Sequence, residues 1–297
     1  MLRGSLVALV TPMTADGSLD WPAWDRLLDF HVSEGTDGIV IGGTTGEAPA
    51  LSLEEVEELT CRALLRCGGK LKLIVGAGTH ATSSTVARTR ALSRLGPDAV
   101  MLVTPYYNKP PQEGLFRHFM AAADVSAVPI VVYNVPSRTA VDLLPATVAR
   151  LAHHPRIVAI KDASAASSRV RELLSVCPAG FAVLSGDDAT AVEWIGAGAH
   201  GVISVSANVA PRRMHDACMA ALEGDLATAR AIDGELQHLH KDLFVEANPI
   251  AVKWAVGRMG LIGNAIRLPL VELSPAHHEL VLCAMRAAGV RLEDRAA

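Results

Sequence analysis

The chain has 297 residues, half of them hydrophobic and a fifth charged, enough for one large α/β domain or two ordinary ones. A formal net charge of −4 without any Lys/Arg cluster argues against a nucleic-acid binder, and no apolar stretch reaches membrane-spanning length. The five cysteines, at 61, 67, 177, 218 and 283, are odd in number and lack CxxC spacing, so neither a disulfide framework nor a zinc site is indicated.

The first element is a strand-like run, Ser5–Val10, with only Arg3 before it and Pro12 soon after. It does not read as a signal peptide, and a cytoplasmic protein is the expectation. Further apolar runs follow at Gly38–Ile41, Leu71–Val75, Ala99–Val103, Ile130–Tyr133, Ile157–Ile160, Ala182–Leu184 and Gly201–Val205. Amphipathic patterns fill the gaps: Trp21–Glu34, Ser52–Arg66, Thr82–Leu95, Gln112–Ala122, Leu144–His153, Ser168–Val176 and Ala189–Ala197. The second of these opens Ser52-Leu53-Glu54-Glu55, the pattern of a capping box. Strands alternating eight times with helices, and no break in composition, predict a closed (β/α)8 TIM barrel. An open doubly wound sheet is the alternative, but it begins with a Gly-rich turn, which Val10-Thr11-Pro12-Met13 is not. Beyond Ala207 the pattern is helical only, over Pro211–Glu223, Asp225–Leu243, Pro249–Met259 and Pro275–Ala288. The expected division is therefore a barrel over 1–224 and a C-terminal helical appendage over 225–297.

Polar residues gather where the strands end. The second runs into Gly42-Gly43-Thr44-Thr45-Gly46-Glu47, the fourth into Thr104-Pro105-Tyr106-Tyr107-Asn108, and the fifth into Tyr133-Asn134-Val135-Pro136-Ser137-Arg138. The sixth closes on Lys161, the seventh on Ser185-Gly186-Asp187, and the eighth on Ser204-Val205-Ser206-Ala207-Asn208. In a barrel these ends converge on one mouth, where active sites of this architecture lie.

Each motif has a chemical and a plainer reading. Lys161 follows the apolar run Ile157–Ile160; an amine there sheds its proton near neutral pH and attacks a ketone to form an imine, or else snorkels to solvent. The Gly42–Glu47 loop suits a carboxylate cradle of backbone N–H groups, or a turn whose threonines cap the backbone. Tyr133 and Tyr107 are candidate proton carriers or rim-filling aromatics, and Tyr106 is assigned to the rim. Arg138 offers a fork for a substrate carboxylate, or a surface ion pair. His153-His154 point apart at a helix end and do not form a metal pair. Asp187-Asp188 offers a metal pair or, in preference, a turn with Asp188 at a helix N-cap.

Taken together, Gly43–Glu47, Val103–Tyr107, Tyr133–Thr139, Ile160-Lys161, Leu184–Asp188, Gly201–Val205 and Phe244–Ile250 stand in one order and spacing. In these motifs the chain resembles the 4-hydroxy-tetrahydrodipicolinate (dihydrodipicolinate) synthases, a branch of the pyruvate-dependent Schiff-base aldolases, from about Gly4 to about Leu270. The resemblance implies an imine between Lys161 and pyruvate, with no metal and no organic cofactor. It places Thr44 and Thr45 at the pyruvate carboxylate, and joins Thr44, Tyr133 and Tyr107 in a proton relay. Tyr107 is implied to reach a neighbouring subunit's site, making a dimer the minimal unit and a dimer of dimers the expected homo-oligomer. Arg138 is implied to hold the carboxylate of aspartate semialdehyde, and the backbone of Gly186 and Ile203 to line the pocket. The implied setting is the diaminopimelate route to lysine.

Some positions depart from the pattern. Asp162 stands where these synthases often have Glu. In lysine-inhibited members an effector pocket lies at the tight dimer interface, lined in part by Tyr106, which this chain keeps. Leu53 and Val56 stand there in place of histidines, Ser84 in place of a glutamate, and His80 in place of an asparagine, so weak or absent inhibition by lysine is expected. Sugar-acid aldolases share the lysine and the Gly-Thr-Thr-Gly-Glu loop but generally lack Arg138 in this context. A silent sensor on the same barrel has no use for Tyr133, Tyr107 and Thr44.

Overall fold

Eight parallel strands hydrogen-bond in chain order, the first pairing with the eighth, in a computed structural model that describes residues 1–292 other than 165 and 167. The strands are β1 (Gly4–Ala8), β2 (Gly38–Ile41), β3 (Lys72–Gly76), β4 (Ala99–Val103), β5 (Ile130–Asn134), β6 (Ile157–Asp162), β7 (Ala182–Ser185) and β8 (Gly201–Ser204). Between them run α1 (Trp21–Ser33), α2 (Leu53–Cys67), α3 (Thr82–Ser93), α4 (Gln112–Ala123), α5 (Pro136–Thr139), α6 (Pro145–Leu151), α7 (Arg169–Val176) and α8 (Ala191–Gly196). The expected (β/α)8 barrel is what forms. Most element ends agree with the sequence reading to within two residues.

Strand alternation splits the apolar residues into two cores. Leu6, Ala8, Val40, Ile74, Met101, Val131, Ala159, Leu184 and Ile203 pack inside the barrel. Their neighbours Val7, Leu9, Ile39, Ile41, Val100, Val132, Ile160, Val183 and Val202 face outward and bury the helices. Both faces are dry, which is why the strands read as unbroken apolar runs. Helix starts follow local chemistry. Asp20 accepts from the Ala23 N–H ahead of α1, and Ser52 with Glu55 closes the capping box expected for α2.

After β8 come α9 (Pro211–Leu222), α10 (Leu226–Asp242), α11 (Ile250–Arg258) and α12 (His278–Ala287). The last expected helix opens as a 3-10 turn over Pro275–His277. Residues 293–297 of the expected appendage lie outside the described residues. Among those described, no helix is long and apolar enough to cross a membrane.

Two expectations are corrected. Arg138 stands not in an irregular run past the end of β5 but in the one-turn helix α5, started by Pro136 with its fixed φ. Asp188 does not cap its own helix: its Oδ2 accepts the N–H groups of Val205 and Ser206, both at 2.9 Å, tying β7 to the exit of β8. Two adjacent unsatisfied donors outcompete the start of α8, where Thr190 occupies the cap without a capping bond, its hydroxyl donating to Asp187 Oδ2 at 2.7 Å.

Candidate active site

Lys161 and Tyr133 face each other across neighbouring strands of the barrel lining. The β5–β6 register pairs them directly, and Lys161 Nζ lies 4.5 Å from the centroid of the Tyr133 ring. Lys161 follows the inward-facing Ala159 by two residues and is 4% exposed. Burial pulls its ammonium pKa down to about 8; the Asp188 carboxylate resists and the Arg138 charge adds to the fall. Burial pushes the Tyr133 phenol up to about 12, countered by the Arg138 charge and the Thr44 hydroxyl.

The alternate residues at the same strand ends point outward and brace the site. Asn134 Nδ2 donates to Asp162 Oδ2 at 2.9 Å and to Asp142 Oδ1 at 2.7 Å, while its Oδ1 accepts from the Leu143 N–H. Asp162 Oδ1 takes the Ser164 N–H at 2.9 Å. These bonds brace the backbone next to Lys161 and Tyr133. The adjacency of Lys161 and Asp162 is thus two different tasks on two faces, and Asp162 was not singled out for a role from sequence.

Gly186 is a packing requirement. A Cβ there would fall 2.9 Å from Lys161 Cε and 2.8 Å from the Ala163 Cβ, so only glycine leaves the lysine its channel. Ile203 closes the inner core on β8, opposite Leu6 of β1.

On the Tyr133 side of the Lys161 and Tyr133 pair opens a cavity of about 370 Å³ whose lining includes Gly43, Thr44, Tyr133, Val135, Arg138, Tyr106 and Arg88. Among the described residues no Asp or Glu lines it, while two arginines do, which favours negative charge there. Arg138 donates through Nη2 to the Asn248 carbonyl at 3.2 Å, and among the described residues it has no carboxylate partner. Arg88 likewise has none, and its Nε is buried without a hydrogen bond.

The Gly42–Glu47 loop divides its threonines. Thr44 lines the cavity. Thr45 is buried, and its Oγ1 accepts from Asn248 Nδ2 at 3.0 Å. Glu47, at φ +60°, ends the loop in the left-handed region and forms an ion pair with Lys253 in which both side chains are 1% exposed. Its other oxygen accepts the Arg267 N–H at 3.0 Å. The loop is therefore gripped by α11 and the segment around it. Asn248 and Lys253 received no role from the sequence; the first lies in the Phe244–Ile250 motif, which was the available signal.

Tyr107 does not join the others. It stands at φ +75° with its side chain 92% exposed, while Tyr106 beside it makes an edge contact with His80, centroids 5.3 Å apart. Of the plainer readings, Tyr106 fits the rim. The His154 ring accepts the Arg156 N–H at 3.1 Å, and its other nitrogen lies 3.4 Å from Asp124.

A closed parallel barrel with a buried lysine and an arginine-lined cavity at its C-terminal mouth has the architecture of a (β/α)8-barrel enzyme. Comparison with known proteins narrows the class. The model of the dihydrodipicolinate synthetase family matches residues 1–288, and the chain belongs to that family of lyases. Curated relatives from Laribacter hongkongensis and Methylococcus capsulatus, both named 4-hydroxy-tetrahydrodipicolinate synthase, are each 52% identical over 290 residues, covering 98% of this chain and 100% of theirs. Among solved structures, the chloride-inhibited dihydrodipicolinate synthase of Acinetobacter baumannii, in complex with pyruvate, superposes with a TM-score of 0.96 at 44% identity, covering 98% of this chain and 100% of that one.

Proposed function

We propose that the enzyme condenses pyruvate with L-aspartate 4-semialdehyde, as a 4-hydroxy-tetrahydrodipicolinate synthase in the diaminopimelate route to lysine. The observation that carries this reading is Lys161: a buried amine whose pKa is pulled down to about 8, facing Tyr133 at 4.5 Å from its ring centroid. The pyruvate complex of the Acinetobacter relative supports the first substrate.

The neutral Lys161 amine adds to the ketone carbon of pyruvate and water leaves, giving a protonated imine. That imine draws electrons from the adjacent methyl group, which loses a proton and becomes the enamine carbon. The enamine attacks the aldehyde carbon of the second substrate, whose oxygen takes a proton. The amine of that substrate then attacks the imine carbon, closing the ring and releasing Lys161. Every proton has a hydroxyl to travel through: Tyr133 with Thr44 from one subunit, and Tyr107 reaching in from its neighbour. The imine is the electron sink throughout, so the sequence of steps balances without metal or organic cofactor.

Thr44 and Thr45 take the pyruvate carboxylate, Gly186 and Ile203 shape the pocket, and Arg138 takes the carboxylate of the semialdehyde. The exposed, left-handed Tyr107 supports assembly: a solvent-facing aromatic held in a disfavoured backbone state is explained by a partner surface. A homodimer, with pairs joining as a tetramer, follows from that reading, as does a cytoplasmic setting from the pathway. The test is borohydride reduction with pyruvate, then a coupled assay with aspartate semialdehyde. One pyruvate-derived group on Lys161 and turnover of the semialdehyde are expected; labelling of Lys253 or Lys109 instead overturns the assignment.

A further inference from the structure

We infer that Asn248, outside the barrel strands, is a positioning residue that fixes the hydrogen-bond polarity of Thr45 and braces the Arg138 guanidinium. The inference rests on the proposed placement of substrate carboxylates at Thr45 and Arg138, and concerns what aims those two groups.

Asn248 is 6% exposed, and its Nδ2 donates to Thr45 Oγ1 at 3.0 Å. An amide nitrogen only donates, so the threonine oxygen is an acceptor in this bond and its single proton is left to donate elsewhere. Among the described residues that O–H meets no acceptor. The hydroxyls of Thr104 and Thr139, by contrast, are spent on the carbonyls of Tyr133 and Val141, both at 2.9 Å. A carboxylate only accepts, so a Thr45 set to donate is matched to it. The backbone of the same residue handles the arginine: the Asn248 carbonyl takes one Nη2 proton of Arg138 at 3.2 Å and leaves the rest of the fork for a ligand. The backbone around Asn248 is held, while its side-chain Oδ1 is buried without a hydrogen-bond partner among the described residues. The turn after it is closed by the Ile250 N–H on the Ala247 carbonyl, and Lys253 locks onto Glu47, two residues past Thr45. Segment and loop are thus joined at two points.

A residue that merely filled this space would tolerate a change of polarity at constant shape. Asn248→Asp makes that change, because its carboxylate must accept the Thr45 proton and adds a negative charge beside the ligand's own. At pH 8 we expect the KM for pyruvate to rise about a hundredfold or more in Asn248→Asp, against about three- to tenfold in Asn248→Ala, with kcat of the alanine variant nearly unchanged. Lowering the pH protonates the buried aspartate, whose O–H then donates to Thr45, so its KM relative to wild type should fall with pH. Equal KM in the two variants, or no pH dependence of their ratio, overturns the inference. Should the aspartate variant fail to fold, as read by circular dichroism, a cycle with Thr45→Val decides. Asn248→Ala should then cost little in the valine background, and a fully additive cost sinks the idea. The Lys161 adduct of the wild-type enzyme, measured alongside, separates failure of the positioning role from failure of the proposed reaction.

Discussion

Lys161 has little room for a hydrated ammonium ion, and that sets when it reacts. Only the neutral amine adds to a ketone, and its population grows as pH rises through the pKa of about 8. The rate of borohydride-trappable adduct with pyruvate should therefore increase from about pH 6.5 to a plateau above about pH 9, and Lys161→Ala should abolish it. A flat profile over that span would contradict the desolvated amine. Arg138 works at a different step. Arg138→Ala should raise the KM for aspartate semialdehyde about ten- to a hundredfold, the loss of a charge-assisted contact of about 1.5–3 kcal/mol. The pyruvate adduct should still form, with its pH midpoint moved slightly upward, because the Arg138 charge helps depress Lys161. Tyr133→Phe should instead lower kcat, since it deletes a relay hydroxyl and little contact area. Equal loss of adduct in the arginine variant would make Arg138 a structural residue.

Among the elements, the join between the Gly42–Glu47 loop and α11 is the most demanding. Glu47 and Lys253 are both out of water, so each depends on the other for its charge. Lys253→Met should destabilise the fold by about 3–5 kcal/mol in urea unfolding, because it strands a buried carboxylate, whereas Glu47→Gln with Lys253→Met together should recover much of the loss. Equal stability of the single and double variants would remove the pair from the account. This join also marks where reading the chain stops working. The strands were legible because both their faces are apolar, and Lys161 because a cation ends such a run. Arg138, Thr44 and Gly186 were legible as polar or glycine residues at strand ends, which a barrel must bring together. The bonds from Asn248 to Thr45 and from Lys253 to Glu47 span 203 and 206 residues, and no local pattern encodes them. Asp188 misled for a related reason: its acceptors' partners, the amides of Val205 and Ser206, are seventeen and eighteen residues away.

At the scale of the molecule, the cavity's charge bears on regulation. Lysine carries an ammonium group that needs an acid to leave water. The side of the cavity near Tyr106 and Ala48 offers the Arg88 guanidinium and no carboxylate, Ser84 is exposed and neutral, and Val56 is buried against the loop at Gly42. Missing one charged partner costs on the order of 2–5 kcal/mol, and a like charge nearby adds to it. Free lysine should inhibit weakly or not at all, and half-maximal inhibition below about 1 mM, a cutoff set by affinity arithmetic, would refute this. Tyr107 has a consequence of another kind. If each site borrows this tyrosine, a chain lacking Lys161 can still lend its own Tyr107, and a chain lacking Tyr107 can still offer its lysine. Lys161→Ala and Tyr107→Phe, each nearly inactive alone, should then complement when co-refolded. Half of the randomly paired dimers would carry one intact site, returning about a quarter of wild-type activity by two-fold symmetry, whereas no gain on mixing would mean that every chain works with its own tyrosine.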